Sequence, residues 1–144
     1  GDHMMFSCTH SHSAPHTGYD YDEPDGYVHT VFLPNAIEAA KEALGNMRVA
    51  QLGVGTTWSD VGVNRRAIKE ATGKTVLGQN PYGSWDPTMT VLSFKEPDGT
   101  PIANLVHYGC HNTGSGKNAE ISRDWAGVMV DRLEAQSGAV ILEK

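Results

Sequence analysis

The chain has 144 residues, which is enough for one domain with a hydrophobic core. It has 11 Lys and Arg residues against 17 Asp and Glu residues, a net charge of −6, and no local basic stripe, which argues against nucleic acid as a main partner. No stretch approaches the roughly 20 apolar residues of a transmembrane helix, and the two cysteines are too few for a disulfide scaffold.

Both ends of the chain are typical of a fragment. Residues 1–4 (GDHM) resemble an expression scar, so we expect the native N-terminus to be missing. The sequence therefore does not distinguish a secreted protein from a cytoplasmic one. A strand is predicted over residues 4–9 with nothing before it, and another over 139–142, with two residues after it. We therefore expect residues 5–144 to be a single α/β domain that is a fragment of a larger layered domain.

The first half of the chain predicts one helix and one strand. Apolar residues recur at helical spacing over residues 28–44, where Pro34 either kinks the helix or opens its second part. A strand with close backbone approach at its glycines is predicted over 48–56. Residues 57–87 are expected to be mostly irregular, with one helical turn around 66–72.

The second half predicts a hairpin, a helix and a last strand. Apolar runs at 89–94 and 102–107 flank the turn sequence Pro-Asp-Gly-Thr at 97–100. A helix over 123–136 is expected to be capped by Ser122 and to bury one apolar stripe in the core. The stripe consists of Trp125, Val128, Met129 and Leu133. The predicted fold class is α/β, with a mixed β-sheet flanked by helices.

Two short motifs place histidines just past these apolar runs. Residues 7–15 (SCTHSHSAP) contain His10 and His12, and residues 106–114 (VHYGCHNTG) contain His111. In a strand, residues two apart face the same side, so both rings of an H-x-H pair can enter one pocket. Neutral imidazole is the commonest nitrogen ligand of catalytic metals, so two histidines from distant segments begin a zinc site without completing it.

In this order, the motifs resemble the neutral/alkaline ceramidase family of zinc-dependent amidases. Residues 7–15 are similar to the family signature S-A-T-H-T-H-S-G-P, and residues 63–65 match its V-N-R element. Residues 86–94 match a D-x-x-x-x-V-L-x-F strand, residues 108–113 an F-A-x-H-P-T element, and residues 121–127 an I-S-x-D-x-x-G pattern. The resemblance covers nearly the whole chain.

The resemblance implies a function and a set of site residues. It implies that His10 and His111 bind zinc, and that His12 and Arg65 are catalytic residues holding substrate or intermediate oxygens. Metal-activated water would then attack the carbonyl of an N-acyl amide, with a lipid-like small molecule as substrate. The family completes its zinc site with a glutamate and a tyrosine from later in the chain. The resemblance thus implies that the zinc site is incomplete in this chain and can stay empty. It also implies that the chain is part of a larger hydrolase domain and is inactive alone. The rest of the full-length chain would be its partner.

Departures from the family pattern and two rival interpretations remain. Ala14 stands where the family has glycine and Asn112 where it has proline, so the substrate need not be ceramide.

In one rival interpretation, the chain is a small non-catalytic binding or structural α/β domain whose histidines are structural. In the other, Cys8 or Cys110 is the nucleophile of a thiol hydrolase, although a buried structural thiol is the commoner role.

Overall fold

The computed structural model of the protein describes residues 7–15, 23–116 and 119–143. Its main sheet has four strands in the order β1-β4-β5-β6, and β2 and β3 form a separate hairpin. The elements are a π-helix Val28–Phe32, α1 Leu33–Gly45, β1 Gln51–Trp58, β2 Arg66–Lys69, β3 Lys74–Leu77, β4 Thr88–Lys95, β5 Pro101–Tyr108, α2 Asp124–Ser137 and β6 Val140–Glu143. The predicted α/β class with a mixed sheet is confirmed.

The hairpin of β4 and β5 forms where the sequence predicts it. The strands pair antiparallel, with Leu92 opposite Leu105. Gly99 has a φ of 90°, which glycine adopts without a side-chain clash, and the Asp98 carboxylate accepts a hydrogen bond from the Thr100 amide at 2.9 Å. This local turn chemistry sets the register that carries β5 toward His111.

The strands β5 and β6 are parallel and are joined through α2. The helix ends at Gly138, whose φ of 66° lies in the left-handed region, and β6 then pairs with β5. The described residues with buried apolar side chains are mostly in this part of the chain: Val106, Tyr108, Ala126, Ala139 and Ile141. Residues 109–116 follow the buried end of β5 and residues 119–123 precede α2, so both stretches adjoin the best-packed part of the described structure.

The first helix is continuous with a π-helix and lies outside this core. Pro34 is the second residue of α1 and lies just after the point where the π-helix ends, so the second of the two predicted roles, opening the second part of the helix, is correct. No residue of α1 is buried, and all eight residues of β1 are exposed. Among the described residues, no helix has the length and apolar character needed to cross a membrane.

The prediction for residues 57–87 is wrong around 66–72. This segment forms the β2-β3 hairpin, with Arg66 opposite Leu77. The turn is closed by Gly73, which has a φ of 66° and donates its amide hydrogen to the Lys69 carbonyl at 2.8 Å. Lys-Glu-Ala has good helix propensity, but pairing with the β-branched residues of β3 outweighs so short a local preference.

Two further predictions need correction, and some fall outside the described residues. Within α2, Val128 of the predicted core stripe is 55% exposed, while Ala126 and Gly127 are buried, because the helix turns its small residues toward its neighbours. Residues 7–9 are not in a strand. The scar at 1–4 and the first half of the strand predicted over 4–9 lie outside the described residues.

Candidate metal centre

Three histidine rings from the two motifs lie together. The Nε2 atoms of His12 and His111 are 3.1 Å apart, and one ring nitrogen from each of His10, His12 and His111 lies within 4.8 Å of the other two. The ring centroids are separated by 4.4–5.0 Å. The two motifs therefore meet in space, although about a hundred residues separate them.

His111 is held directly after the buried end of β5. Its carbonyl oxygen accepts a hydrogen bond from the Trp125 indole Nε1 at 3.1 Å and one from the Thr113 amide at 3.0 Å. The Trp125 ring in turn packs edge-on against the buried ring of Tyr108, the last residue of β5. The position of His111 thus depends on both the sheet and the start of α2.

The segment with His10 and His12 is tied to the segment with His111 through Asn112. The Asn112 side chain is 1% exposed and donates from Nδ2 to the Thr9 carbonyl at 2.6 Å. The Asn112 carbonyl accepts from the His12 amide at 3.4 Å. His10 has a φ of 56°, so the two rings converge through a left-handed turn and not through the strand alternation that the sequence suggested.

The acidic residue at the start of α2 anchors the loop after His111. The Asp124 carboxylate accepts hydrogen bonds from the amides of Gly114 and Ser115, both at 2.8 Å, and from the Ser115 hydroxyl at 2.7 Å. Burial acts to raise the pKa of Asp124, but these bonds and one from the Trp125 amide outweigh it and hold the pKa well below its usual range. Asp124 is therefore ionised, as its acceptor role requires.

Asn112 also meets the carboxyl group of Glu143 at the end of β6. Burial raises the pKa of Glu143, while a hydrogen bond from the Asn112 side chain and the charge of His107 act in the opposite direction. Asn112 Oδ1 and Glu143 Oε2 are buried and have no hydrogen-bond partner among the described residues. The Asn112 side chain is thus linked to the end of β6 as well as to Thr9.

Arg65 lies on the wall of the same cleft as two of the histidines. This cleft has a volume of about 870 Å³, and its lining includes His12, Arg65 and His111 together with Trp85 and Trp125. The pKa of His111 is lowered by burial and then by the positive charge of Arg65 and the neighbouring histidines. A lowered pKa keeps the imidazole neutral, which is the form that binds metals.

The donor set fits a metal ion that prefers imidazole. One ring nitrogen from each of the three histidines lies within 4.8 Å of the other two, and two of the histidines line the open cleft. Imidazole nitrogen suits zinc among the first-row metals. His10, His12 and His111 can therefore hold a metal ion. The roles predicted for His10 and His111 as ligands, and for His12 and Arg65 as catalytic residues, stay predictions.

The thiol alternative finds little support in the geometry. Burial raises the pKa of the Cys110 thiol, which disfavours the nucleophilic thiolate. Its Sγ lies 3.8 Å from the backbone carbonyl of His111 and not in a hydrogen bond to an imidazole ring. Cys8 is exposed and outside the histidine group. Neither cysteine has the histidine-paired geometry of an activated nucleophile.

Sequence reasoning missed the residues that hold the histidines. Asn112 stood out only as a departure from the family's proline, and Trp125 was assigned to a core stripe. The signal that could have found Asn112 is its amide side chain, which stands where the family has proline. Such a side chain can donate a hydrogen bond to the backbone of the other histidine motif, as Asn112 does to Thr9.

These features define an α/β chain with a candidate three-histidine metal centre. No protein-family model matches the sequence, and no curated protein matches it. Among solved structures, a ceramidase in complex with C2 is similar, with a TM-score of 0.69 and 20% identity over 94% of this chain and 23% of that one. A neutral ceramidase from Pseudomonas aeruginosa is similar with a TM-score of 0.58 and 19% identity, over 80% of this chain and 19% of that one.

The comparisons concern the fold of this chain. It resembles a part of the ceramidase structures, and it spans about a fifth of their length. The resemblance predicted from the sequence motifs is thereby confirmed at the level of the fold. At about 20% identity, activity and substrate do not follow from the fold.

Proposed function

We propose that this chain is part of a zinc-dependent hydrolase of N-acyl amide bonds. The observation that carries the proposal is the meeting of His10, His12 and His111 beside a cleft that also contains Arg65. Residues 5–144 would then be one part of a larger hydrolase domain, with the rest of the full-length chain as a partner. The similarity to a ceramidase structure over 94% of this chain supports this class of reaction.

In this proposal, each residue acts on either the metal or the substrate. His10 and His111 hold the ion, and Asn112 and Trp125 fix the backbone on which these two rings stand. A bound zinc supplies a Lewis acid and lowers the pKa of water to about 7. His12 and Arg65 line the cleft, where the guanidinium can donate to an oxygen that gains negative charge during amide hydrolysis.

The shape and lining of the cleft suit a long amide substrate. A volume of about 870 Å³ accommodates a small lipid-like molecule, and the lining includes Val61, Leu77 and the two tryptophans. An acyl chain can lie on these apolar groups while the amide faces the histidines. We therefore propose an N-acyl lipid as the substrate class.

The test measures release of free fatty acid from an N-acyl sphingoid substrate by mass spectrometry. The enzyme is the complete gene product that contains residues 5–144, stripped of metal and then reloaded with zinc. We expect hydrolysis only with zinc and none from His111→Ala, whereas His29→Ala, a substitution of an exposed histidine outside the cluster, retains it. Hydrolysis that persists without metal, or in His111→Ala, would contradict the proposal.

A further inference from the structure

The hydroxyl group of Tyr108, the last residue of β5, connects the sheet to the loop that follows β1. Tyr108 is 3% exposed, and its hydroxyl donates a hydrogen bond to the Ser59 carbonyl at 2.7 Å and accepts one from the Gly62 amide at 2.9 Å. Because β4 lies between β1 and β5, these bonds join parts of the sheet that do not pair directly. The hydroxyl therefore fixes residues 59–62 against the end of β5.

The loop at Gly62 approaches the Tyr108 hydroxyl closely. A Cβ atom at Gly62 would lie 2.8 Å from Tyr108 Oη, which is shorter than real Cβ atoms come to their neighbours. Only glycine therefore permits this hydrogen bond without a shift of the loop or the ring. Tyr108 stands where the family's F-A-x-H-P-T element has phenylalanine, so the hydroxyl is a feature of this chain beyond the family pattern.

Arg65 follows the Tyr108 anchor by three residues and is held by a second anchor. Its carbonyl accepts a hydrogen bond from the Gly78 amide at 3.2 Å, directly after β3. The preceding Asn64 donates from Nδ2 to the Ser84 carbonyl at 2.8 Å. A short segment that is bonded at both ends has little freedom to move, so the Tyr108 anchor limits where the Arg65 guanidinium can lie in the cleft.

The same tyrosine supports His111 through its ring. The ring packs edge-on against the Trp125 ring, with centroids 5.9 Å apart, and the Trp125 indole donates to the His111 carbonyl. The two ends of one side chain thus contact the group that fixes His111 and the loop that carries Arg65. A donor stabilises a developing oxyanion only from hydrogen-bond distance, so the spacing between these two parts of the site decides whether Arg65 can act.

We infer that Tyr108 is a positioning residue, whose hydroxyl sets the place of Arg65 relative to His111. The inference rests on the proposed function, in which His111 binds zinc and Arg65 donates to the reacting oxygen. Loss of the hydroxyl frees the loop, while the ring of Tyr108 still packs on Trp125. Zinc binding then persists, and only the stabilisation of the transition state by Arg65 is weakened.

The test uses the complete gene product loaded with zinc and compares the wild type with Tyr108→Phe, Arg65→Ala and the double variant. Gly62→Ala disturbs the same contact from the loop side, and Tyr82→Phe is the matched control because Tyr82 is 97% exposed. Hydrolysis of the N-acyl sphingoid substrate, zinc content and circular dichroism are measured on the same samples. Hydrogen exchange of the amides of residues 59–65, followed by mass spectrometry, reports on the loop independently of activity.

We expect kcat of Tyr108→Phe to fall roughly 10- to 100-fold, since a misplacement of about 1 Å can cost that much. Zinc content should be unchanged and exchange over residues 59–65 faster, with the same pattern in Gly62→Ala and wild-type values in Tyr82→Phe. In the Arg65→Ala background, Tyr108→Phe should change kcat by less than about 2-fold, because its effect acts through Arg65.

Two results would overturn the inference and leave the proposed function standing. One is an equal fall in kcat on Tyr108→Phe with and without Arg65, and the other is unchanged exchange over residues 59–65 in Tyr108→Phe. Absence of zinc-dependent hydrolysis by the wild type would instead overturn the proposed function and this inference together.

Discussion

Replacing Asn112 with alanine should weaken the fold and the metal centre together. The change removes the 2.6 Å hydrogen bond to the Thr9 carbonyl and the hydrogen bond to the Glu143 carboxyl group, both made by the side chain of a residue that is 1% exposed. Each lost bond contributes about 0.5–1.5 kcal/mol, so the expected loss in the free energy of unfolding is about 1–3 kcal/mol. The loss stays moderate because Asn112 Oδ1 has no donor among the described residues, so its removal costs nothing there.

The effect of Asn112→Ala on metal affinity follows from the one side-chain contact that Asn112 makes with the other motif, because alanine keeps the backbone carbonyl that accepts from the His12 amide. Without the Thr9 bond, the segment of His10 and His12 is free to move relative to His111, and loss of such supporting partners weakens metal binding about 10–100-fold. That range equals about 1.4–2.7 kcal/mol. Urea denaturation and Zn²⁺ titration of the same samples measure the two effects. The matched control is Asn35→Ala, on the exposed face of α1, which should change stability by less than about 0.5 kcal/mol. Unchanged zinc affinity in Asn112→Ala would refute the idea that Asn112 positions the histidines.

Three other substitutions test the groups around the centre. Asp124→Asn keeps a residue that tolerates the φ of 59° but removes the charge, and should lower the free energy of unfolding by about 1.5–3 kcal/mol because hydrogen bonds to a charged group are lost. The folded pKa of Asp124 is lowered, so this contribution is present above the unfolded pKa of about 4 and is lost as the pH falls through the folded pKa. Urea denaturation should therefore show a free energy of unfolding that falls less steeply in acid for the variant than for the wild type. Glu143 has a raised pKa, so the folded protein favours its protonated form and loses stability as the pH rises through the folded pKa. Glu143→Gln should remove this loss and supply a hydrogen-bond donor to Asn112 Oδ1. In thermal denaturation, we therefore expect the variant to be more stable than the wild type at pH 7 and equally or less stable at pH 4. Arg65→Ala should leave zinc affinity unchanged, while the rate of hydrolysis by the complete gene product falls about 100- to 1000-fold, as for loss of an oxyanion donor. Full activity in this variant would contradict a catalytic role of Arg65 and would indicate that it is only a charged surface residue.

Local sequence signals were enough for the parts of the fold that depend on local chemistry. The Asp98 turn, the Gly138 helix end and the position of Pro34 each follow from a backbone preference of one residue type. The β2-β3 hairpin was missed because its strands have four residues each, which is too short for periodicity to oppose helix propensity.

The candidate site could be predicted only in its most recognisable residues. The histidines and Arg65 stand in motifs, and the structure brings all four to one cleft or its rim. The contacts of Asn112 with Thr9 and of Trp125 with His111 join residues that are distant in the sequence or assigned to other roles. Such pairings depend on the relative placement of β5 and α2, which periodicity does not determine.

The most direct test of the metal centre is the amount of zinc bound by the complete gene product and by its His111→Ala variant, since His111 is a metal ligand in the proposed function. Both proteins are equilibrated with Zn²⁺, dialysed against zinc-free buffer and assayed for zinc and protein in the same samples. We expect one zinc per wild-type chain and essentially none in His111→Ala, with His29→Ala equal to the wild type. Equal zinc content in the wild type and His111→Ala, or none in either, would contradict the assignment of His111 as a metal ligand.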